Sequence, residues 1–348
     1  MIVSHIDMSA ALPLTPTLRR LRHRPATVFL FALMLVAAAA WPITPTYAQS
    51  DQTGEVASQA LTGWKLTWSD EFNGSGQVDP TKWVNDVGGQ GWGNHELEYY
   101  TAGSTNAVQS GGNLVITARD NGACYKCWYG PCRYTSARLQ TKGLFSQQYG
   151  RFVARMKVPS GAGLWPAFWL LGDNIDAVGW PTCGEIDVME EWGNAPTSVR
   201  GSLHGPLPGA GSYDVSKSFQ LGPDLSADYH EYAIEWAFNS VKFFIDDTEY
   251  ANYGPGDVYG GGQWVFNGQP FHIVVNLALI GNVTAVFPQS LLIDWIRVYS
   301  AVPRPRHQET AAEMLKPKHV SEPISCAATH ARAGPARPTS MAAQLMRQ

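Results

Sequence analysis

Residues 184–192 read Gly184-Glu185-Ile186-Asp187-Val188-Met189-Glu190-Glu191-Trp192, four carboxylates within seven positions. Apolar and acidic residues alternate at the start of the run, so an extended strand would put Glu185 and Asp187 on one face. Carboxylates so placed repel one another and lose hydration in a cleft, an arrangement that folding alone does not reward. A fully wetted acidic edge would avoid the cost, but Trp180, Cys183 and Trp192 flank the run and argue against ordinary solvent exposure. Glycosidic bond cleavage with retention gives such a strand a purpose. It needs two carboxyl groups about 5–5.5 Å apart, one to attack the anomeric carbon and one to protonate the leaving oxygen. Same-face neighbours on a strand are roughly 6–7 Å apart. Crowding raises the pKa of one member, as a general acid near neutral pH requires.

Strict alternation puts Glu191, not Glu190, on the face of Glu185. Glu190 joins that face only if a β-bulge inserts one residue, a device often found beside active sites. Spacing alone leaves the choice open.

The segments that must carry this run are also extended. Leu114–Arg119, Gly150–Pro159, Phe271–Ala278 and Leu291–Tyr299 show period-two patterning, and His230–Trp236 with Val241–Asp246 flank a Phe238-Asn239-Ser240 turn as a hairpin. In Gly150–Pro159, Phe152, Ala154, Met156 and Val158 share a face, and Arg151, Arg155 and Lys157 take the other. No amphipathic helix of normal length precedes residue 300. Many short strands with Gly, Asn and Pro turns predict an all-β antiparallel sandwich or barrel.

The chain has 348 residues, 45% hydrophobic and 16% charged, with 34 Gly, 23 Pro and 13 Trp. That composition excludes a disordered, collagenous or coiled-coil protein as a whole and allows one large β domain. Residues 1–48 carry +3 and 301–348 carry +4, so the overall −4 leaves −11 on residues 49–300. An acidic middle disfavours nucleic acid and anionic membrane as partners. A neutral ligand suits it.

Arg19 to Arg24 precede an apolar run from Ala26 to Ala40, with small residues at Thr46-Tyr47-Ala48. Fifteen apolar residues are short for a span of about 20, so 1–48 is expected to be a signal peptide cleaved after Ala48, giving a secreted (extracellular or periplasmic) protein with no membrane attachment. A linker, 49–63, leads to a domain over 64–300. Residues 301–348, rich in Pro, Ala and Arg, are expected to be a disordered tail. Of the five cysteines, Cys124, Cys127 and Cys132 cluster, whereas Cys183 and Cys326 stand apart. A loop-stapling disulfide suits an exported chain better than a metal knuckle, which needs four ligands; the spacing does not choose the pair.

Beyond these patterns, Trp165-Pro166-Ala167-Phe168-Trp169-Leu170-Leu171-Gly172, Trp180-Pro181-Thr182-Cys183 and the acidic run resemble glycoside hydrolase family 16, in its laminarinase-like branch of endo-β-1,3-glucanases. Ser69-Asp70-Glu71-Phe72-Asn73-Gly74, Gly91-Trp92-Gly93-Asn94-His95-Glu96, Leu203-His204-Gly205-Pro206 and Asp294-Trp295-Ile296-Arg297-Val298-Tyr299 follow in family order. The resemblance spans about 64–300 and implies a β-jelly roll of two curved antiparallel sheets with a concave cleft. The family's E-x-D-x-x-E pattern implies Glu185 as nucleophile, Asp187 as helper and Glu190 as general acid/base, whereas lichenase-like and xyloglucan-modifying branches resemble E-x-D-x-E.

The resemblance also implies substrate contacts. Trp165, Trp169 and Trp180 would stack sugar faces, Asn94 and Arg138 would line the non-reducing side, and His204 the acid/base side. Trp68, Trp236 and Trp295 are read as core packing instead. No cofactor is needed for catalysis; one structural Ca²⁺ would sit at Glu71, Gly112 and Asp294, two of them binding through main-chain oxygens. Three departures stand out. Val153 replaces a common Glu, which would leave a charge partner missing beside Arg151 and Arg155. Ile280–Thr284 is shorter than the usual loop and would lack a sugar-stacking contact. The Cys124–Cys132 insertion has no family role.

The expected activity is retaining endo-β-1,3-glucan hydrolysis by a monomer whose partner is a β-glucan polysaccharide. Mixed-linkage glucan or galactan hydrolysis keeps the same carboxylates, and a transglycosylase differs only in how water competes for the intermediate. A non-catalytic glucan-binding protein on the same fold would typically lack the glutamates, which are present here.

Overall fold

The computed structural model describes residues 61–303. The expected signal 1–48, nearly all of the linker and of the 301–348 tail, and Cys326 lie outside these residues.

Two antiparallel sheets make the body of the domain. The back sheet runs in the order Thr248–Tyr253, Ser240–Ile245, His230–Ala237, Gly150–Lys157, Gln289–Ala301, Asn113–Ala118, Ala107–Ser110. Gln289–Ala301 is long enough to serve two neighbours on one edge. Its first half pairs with Asn113–Ala118 and its second with Trp64–Asp70. The cleft sheet runs Ser212–Gln220, Ser198–Pro206, Glu185–Glu190, Leu164–Gly172, Phe271–Leu279, Arg138–Gln140, Val84–Asn85. The only α-helix among the described residues is the four-residue turn Ile175–Val178.

Period-two patterning sorts side chains between the layers. Phe152, Ala154, Met156 and Val158 are buried in the inter-sheet core, as the sequence predicts, together with Ile296 and Val298 beside them. From the cleft sheet, Leu164, Phe168 and Leu170 enter the same core, while Trp165, Ala167, Trp169 and Leu171 from the alternate positions face the cleft. One strand thus supplies both a core ridge and a binding wall.

The outer face of the back sheet corrects the expected charge gap at Val153. Val153 packs with Ala233 and Tyr299 in a small apolar cluster flanked by Trp64, Phe244 and Trp295. The arginines around it are all engaged: Arg151 with Glu235 (3.1 Å), Arg155 with Asp294 (2.6 Å) and Arg297 with Glu71 (2.7 Å). A carboxylate at 153 is not needed. Trp236 is fully buried, and Trp68 packs against Phe145 in the core's margin, as expected of structural rather than sugar-binding rings. Trp295 lies under the Arg297 guanidinium, 4.1 Å from its ring centroid.

Candidate active site

The acidic run forms the strand Glu185–Glu190 in the middle of the cleft sheet. Against Leu164–Gly172 it pairs Leu171 with Glu185, Leu170 with Ile186 and Trp169 with Asp187, but then Phe168 with Met189 and Ala167 with Glu190. Val188 is the extra residue of a β-bulge. On the other side Asp187 pairs with Ser202 and Glu190 with Arg200, so Val188 and Met189 together face the single residue Gly201. Ile186, Val188 and Met189 are all fully buried in the core. The bulge therefore absorbs one residue on the core side and returns Glu190 to the face of Glu185 and Asp187. All three carboxylates line one cleft of about 660 Å³.

The same shift decides the fate of Glu191. It points into the inter-sheet space and is fully buried, and neither carboxylate oxygen has a hydrogen-bond partner. Loss of hydration, with a smaller contribution from Asp224, pushes its pKa up to about 8. The alternation reading that placed Glu191 in the cleft is thus excluded.

Within the cleft each acid has fixed donors. The Trp180 indole N–H donates to Glu185 Oε2 (3.0 Å) and that of Trp165 to Glu190 Oε1 (3.1 Å). Ser202 Oγ lies 2.7 Å from Asp187 Oδ2 and 3.1 Å from Glu190 Oε2. One hydroxyl proton can serve only one of them, and the shorter contact favours Asp187. The serine oxygen is then free to accept a proton shared from Glu190. His204 Nε2 lies 3.1 Å from Asp187 Oδ2.

Burial comes first among the forces on Glu185 and Glu190, followed by the charge of Asp187, and together they push both carboxyls up to about 8. At neutral pH the crowd therefore keeps a proton, which is what a general acid must hold. For His204 burial opposes the charged form, but the hydrogen bond and charge of Asp187, with Glu185 and Asp214, outweigh it and lift the imidazole to about 9. The resulting imidazolium supports negative charge on Glu185 and Asp187. Donor atoms of Glu185, Asp187 and His204 lie within 4.8 Å of one another, close enough to hold a cation. A protonated imidazole has no lone pair to offer one, and Asp187 Oδ2 already serves Ser202 and His204.

All six expected substrate residues, Asn94, Arg138, Trp165, Trp169, Trp180 and His204, line this cleft. Trp180 is half exposed at its rim. Trp165 is stacked on Trp192, with centroids 6.0 Å apart and planes 17° from parallel. Arg138 is held by Asp86 (2.9 Å) and lies 4.9 Å and 4.7 Å from the ring centroids of Trp92 and Trp169. Asn94 sits on a loop where Trp92, between Gly91 and Gly93, and His95 take positive φ (47° and 58°). Asn94 Nδ2 donates weakly to Glu96 (3.4 Å), which accepts from Tyr100 (2.7 Å); Asn276 then joins Tyr100 (3.2 Å) to the Trp169 indole (2.8 Å).

Sequence reasoning missed Trp92, Glu96, Trp192, Arg200, Ser202, Asp214 and Asn276. Trp92 and Glu96 stand in the motif that supplied Asn94, and Trp192 closes the acidic run, so neighbourhood was an available signal for these three. Arg200, Ser202 and Asp214 join through strand register alone.

Register also brings Glu71, Gly112 and Asp294, the positions expected for calcium, together on neighbouring strands of the back sheet. Asp70 pairs with Ile296, placing Glu71 beside Trp295; Leu114 pairs with Ile293, placing the Gly111-Gly112 turn next to Asp294. Both oxygens of Glu71 accept from Arg297 (2.9 and 2.7 Å), and one oxygen of Asp294 accepts from Arg155 (2.6 Å). What fits a hard cation there is main-chain carbonyls plus the second oxygen of Asp294. The Glu71 carboxylate is already engaged by Arg297, which leaves its main-chain oxygen as the donor.

The disulfide joins Cys127 and Cys132; Cys124 and Cys183 form none.

The model of glycosyl hydrolases family 16 matches residues 94–297. This chain belongs to that family. It is 40% identical over 266 residues to a β-glucanase of Rhodothermus marinus, covering 71% of this chain and 88% of the relative. The laminarinase catalytic domain of Thermotoga maritima MSB8 superposes with a TM-score of 0.63 at 41% identity, covering 69% of this chain and 99% of that one. The endo-β-1,3-glucanase of Pyrococcus furiosus superposes with a TM-score of 0.64 at 41% identity, covering 69% and 96%. As a family 16 member the chain is a glycoside hydrolase, and its two sheets are the family's jelly roll.

Proposed function

We propose that this glycoside hydrolase is a retaining endo-β-1,3-glucanase that cuts laminarin-like β-glucans by double displacement. The observation that carries the reading is the bulged strand, which puts Glu185, Asp187 and Glu190 on the floor of one aromatic-walled cleft; the β-1,3 linkage comes from the similar laminarinases.

In the first step Glu185 attacks the anomeric carbon and forms a glycosyl–enzyme ester, while Glu190 gives its proton to the departing glycosidic oxygen. In the second, Glu190 takes a proton from water, the water oxygen attacks the same carbon, and Glu185 leaves as carboxylate. Asp187, held by Ser202 and His204, keeps a negative charge beside both glutamates and so holds the Glu190 proton in place until the leaving oxygen needs it. Trp180 and the His204 imidazolium stabilise Glu185 as an anion before attack and after release. Trp165 and Trp169 give the pyranose rings flat apolar faces.

The test is reducing-sugar release from laminarin, barley β-glucan, lichenan and agarose. Cleavage of laminarin above the rest, lost in Glu185→Gln, is the expected result. Preferential cutting of lichenan or agarose would replace the substrate and keep the mechanism. Laminarin binding without release from any substrate would make the protein a glucan-recognition module.

The basic and apolar pattern of 1–48 supports export before action. Amino-terminal sequencing of material secreted by a bacterial host should start at Gln49. Action as a monomer is part of the proposal, and sedimentation checks it. A Ca²⁺ at Glu71, Gly112 and Asp294 on the back sheet belongs to the proposal too, as a support for the fold outside the chemistry.

A further inference from the structure

The segment 121–133, around the Cys124–Cys132 cluster, lies against the loop that carries Asn94, and the catalytic mechanism makes no use of it. Its hairpin pairs Lys126–Cys127 with Gly130–Pro131 and is closed by the Cys127–Cys132 disulfide. Trp128 N–H donates to Gly89 O (2.8 Å), its indole N–H to Glu96 O (2.8 Å), and Tyr129 OH to Leu97 O (2.6 Å). The polar ends of both side chains are thus fixed to residues 89–97. Their rings stay outside: Trp128 is 50% exposed, Tyr125 40% and Tyr129 39%. Tyr125 is held flat on Tyr99, with centroids 4.4 Å apart and planes 20° from parallel, and Trp128 leans on His95 at 5.1 Å. Three large rings within five residues, anchored and half exposed, make an aromatic patch on the surface.

Two further observations say what kind of ligand suits it. Trp92, Gly93, Asn94 and Glu96 of the anchoring loop line the catalytic cleft, so one loop joins the rings to the cleft wall. A groove of about 270 Å³ runs between Tyr129 and Arg133 on this segment and Gly281 and Asn282 on the loop opposite. The Arg133 charge is neutralised by Asp120 at 3.0 Å. Rigid flat rings beside an amide and a neutralised guanidinium match the alternating apolar faces and hydroxyl edges of a neutral sugar chain.

We propose that the disulfide-stapled segment carries a second β-glucan-binding surface, on which Tyr125, Trp128 and Tyr129 stack the pyranose rings of a chain leaving the cleft past Asn94. It rests on the glucanase reading above. Gly281, Asn282 and Val283 of the Ile280–Thr284 loop form the opposite wall of the groove, which gives the chain a second side to rest on. Preorganised rings lose little freedom on binding, which is the contribution the disulfide makes.

The test uses the full chain. Binding to an insoluble β-1,3-glucan is measured by depletion in the Glu185→Gln background, and turnover of long laminarin against laminaritriose in the active enzyme. Tyr125→Ala, whose ring is stacked on Tyr99, should weaken binding about three- to tenfold, and Tyr125→Ala with Trp128→Ala further. Turnover of the polymer should fall relative to that of the trisaccharide. Equal binding by parent and Tyr125→Ala overturns the proposal, whatever the double variant does, because Trp128 also braces the Asn94 loop. Self-association of the parent, abolished in the variant with glucan binding unchanged, overturns it in favour of a contact between copies. A parent that neither binds nor cuts glucan fails the glucanase reading instead, so the two failures are separable.

Discussion

At the residue scale the site works by denying charge. Three carboxylates and an imidazole share a floor on which burial raises Glu185 and Glu190 to about 8 and the surrounding anions lift His204 to about 9. Activity should decline as pH rises through about 8, when the pair loses the proton that Glu190 must donate; a laminarin pH profile checks the limb. Glu190→Gln should lower laminarin turnover by about 10²- to 10⁴-fold, the usual contribution of a general acid. An aryl glucoside whose phenolate leaves unaided should be spared in its first step, seen as a burst. Glu191 makes a separate prediction. Its folded-state pKa lies above the unfolded value, so between about 4.5 and about 8 only the native state holds the proton and stability falls as pH rises through that window. Glu191→Gln removes that proton linkage. Thermal melts across the window should show a shallower decline in the variant than in the parent, while catalysis persists.

At the element scale the bulge is the deciding device. The alternation of Glu185, Ile186 and Asp187 was legible, and so were most strand cores, because period two is written in the residue types. The bulge was not, since Val188 and Met189 are both apolar and either parity buries a plausible pair. Opposite it stands Gly201, which faces both Val188 and Met189, and a Cβ there would collide with the Phe243 ring and the Tyr250 hydroxyl. Gly201→Ala should therefore destabilise the fold by about 1–3 kcal/mol, the usual cost of overpacking. It should also cost activity beyond that loss, because Ser202 and Arg200 flank the same position. Denaturant melts alongside laminarin turnover measure the two effects.

At the scale of the whole molecule the back sheet is a support whose neighbouring strands gather Glu71, Gly112 and Asp294. If Ca²⁺ binds there through carbonyls and Asp294, millimolar Ca²⁺ should raise the melting temperature after chelation, and Asp294→Ala should abolish the rise. Catalysis below the melting range should not respond.

The sequence alone determined that this is an all-β chain with a same-face acidic run, because strand periodicity and carboxylate crowding are local properties of residue type. Family resemblance then named Glu185, Asp187 and Glu190, and the cleft gathers all six expected sugar contacts. Only the tertiary structure decided that Glu191 turns inward, that Ser202, Arg200 and Asn276 join the site, and that Val153 needs no charge partner. Each of those depends on which residue of a distant strand stands opposite, and register is set by packing across the whole sheet, which no local pattern records.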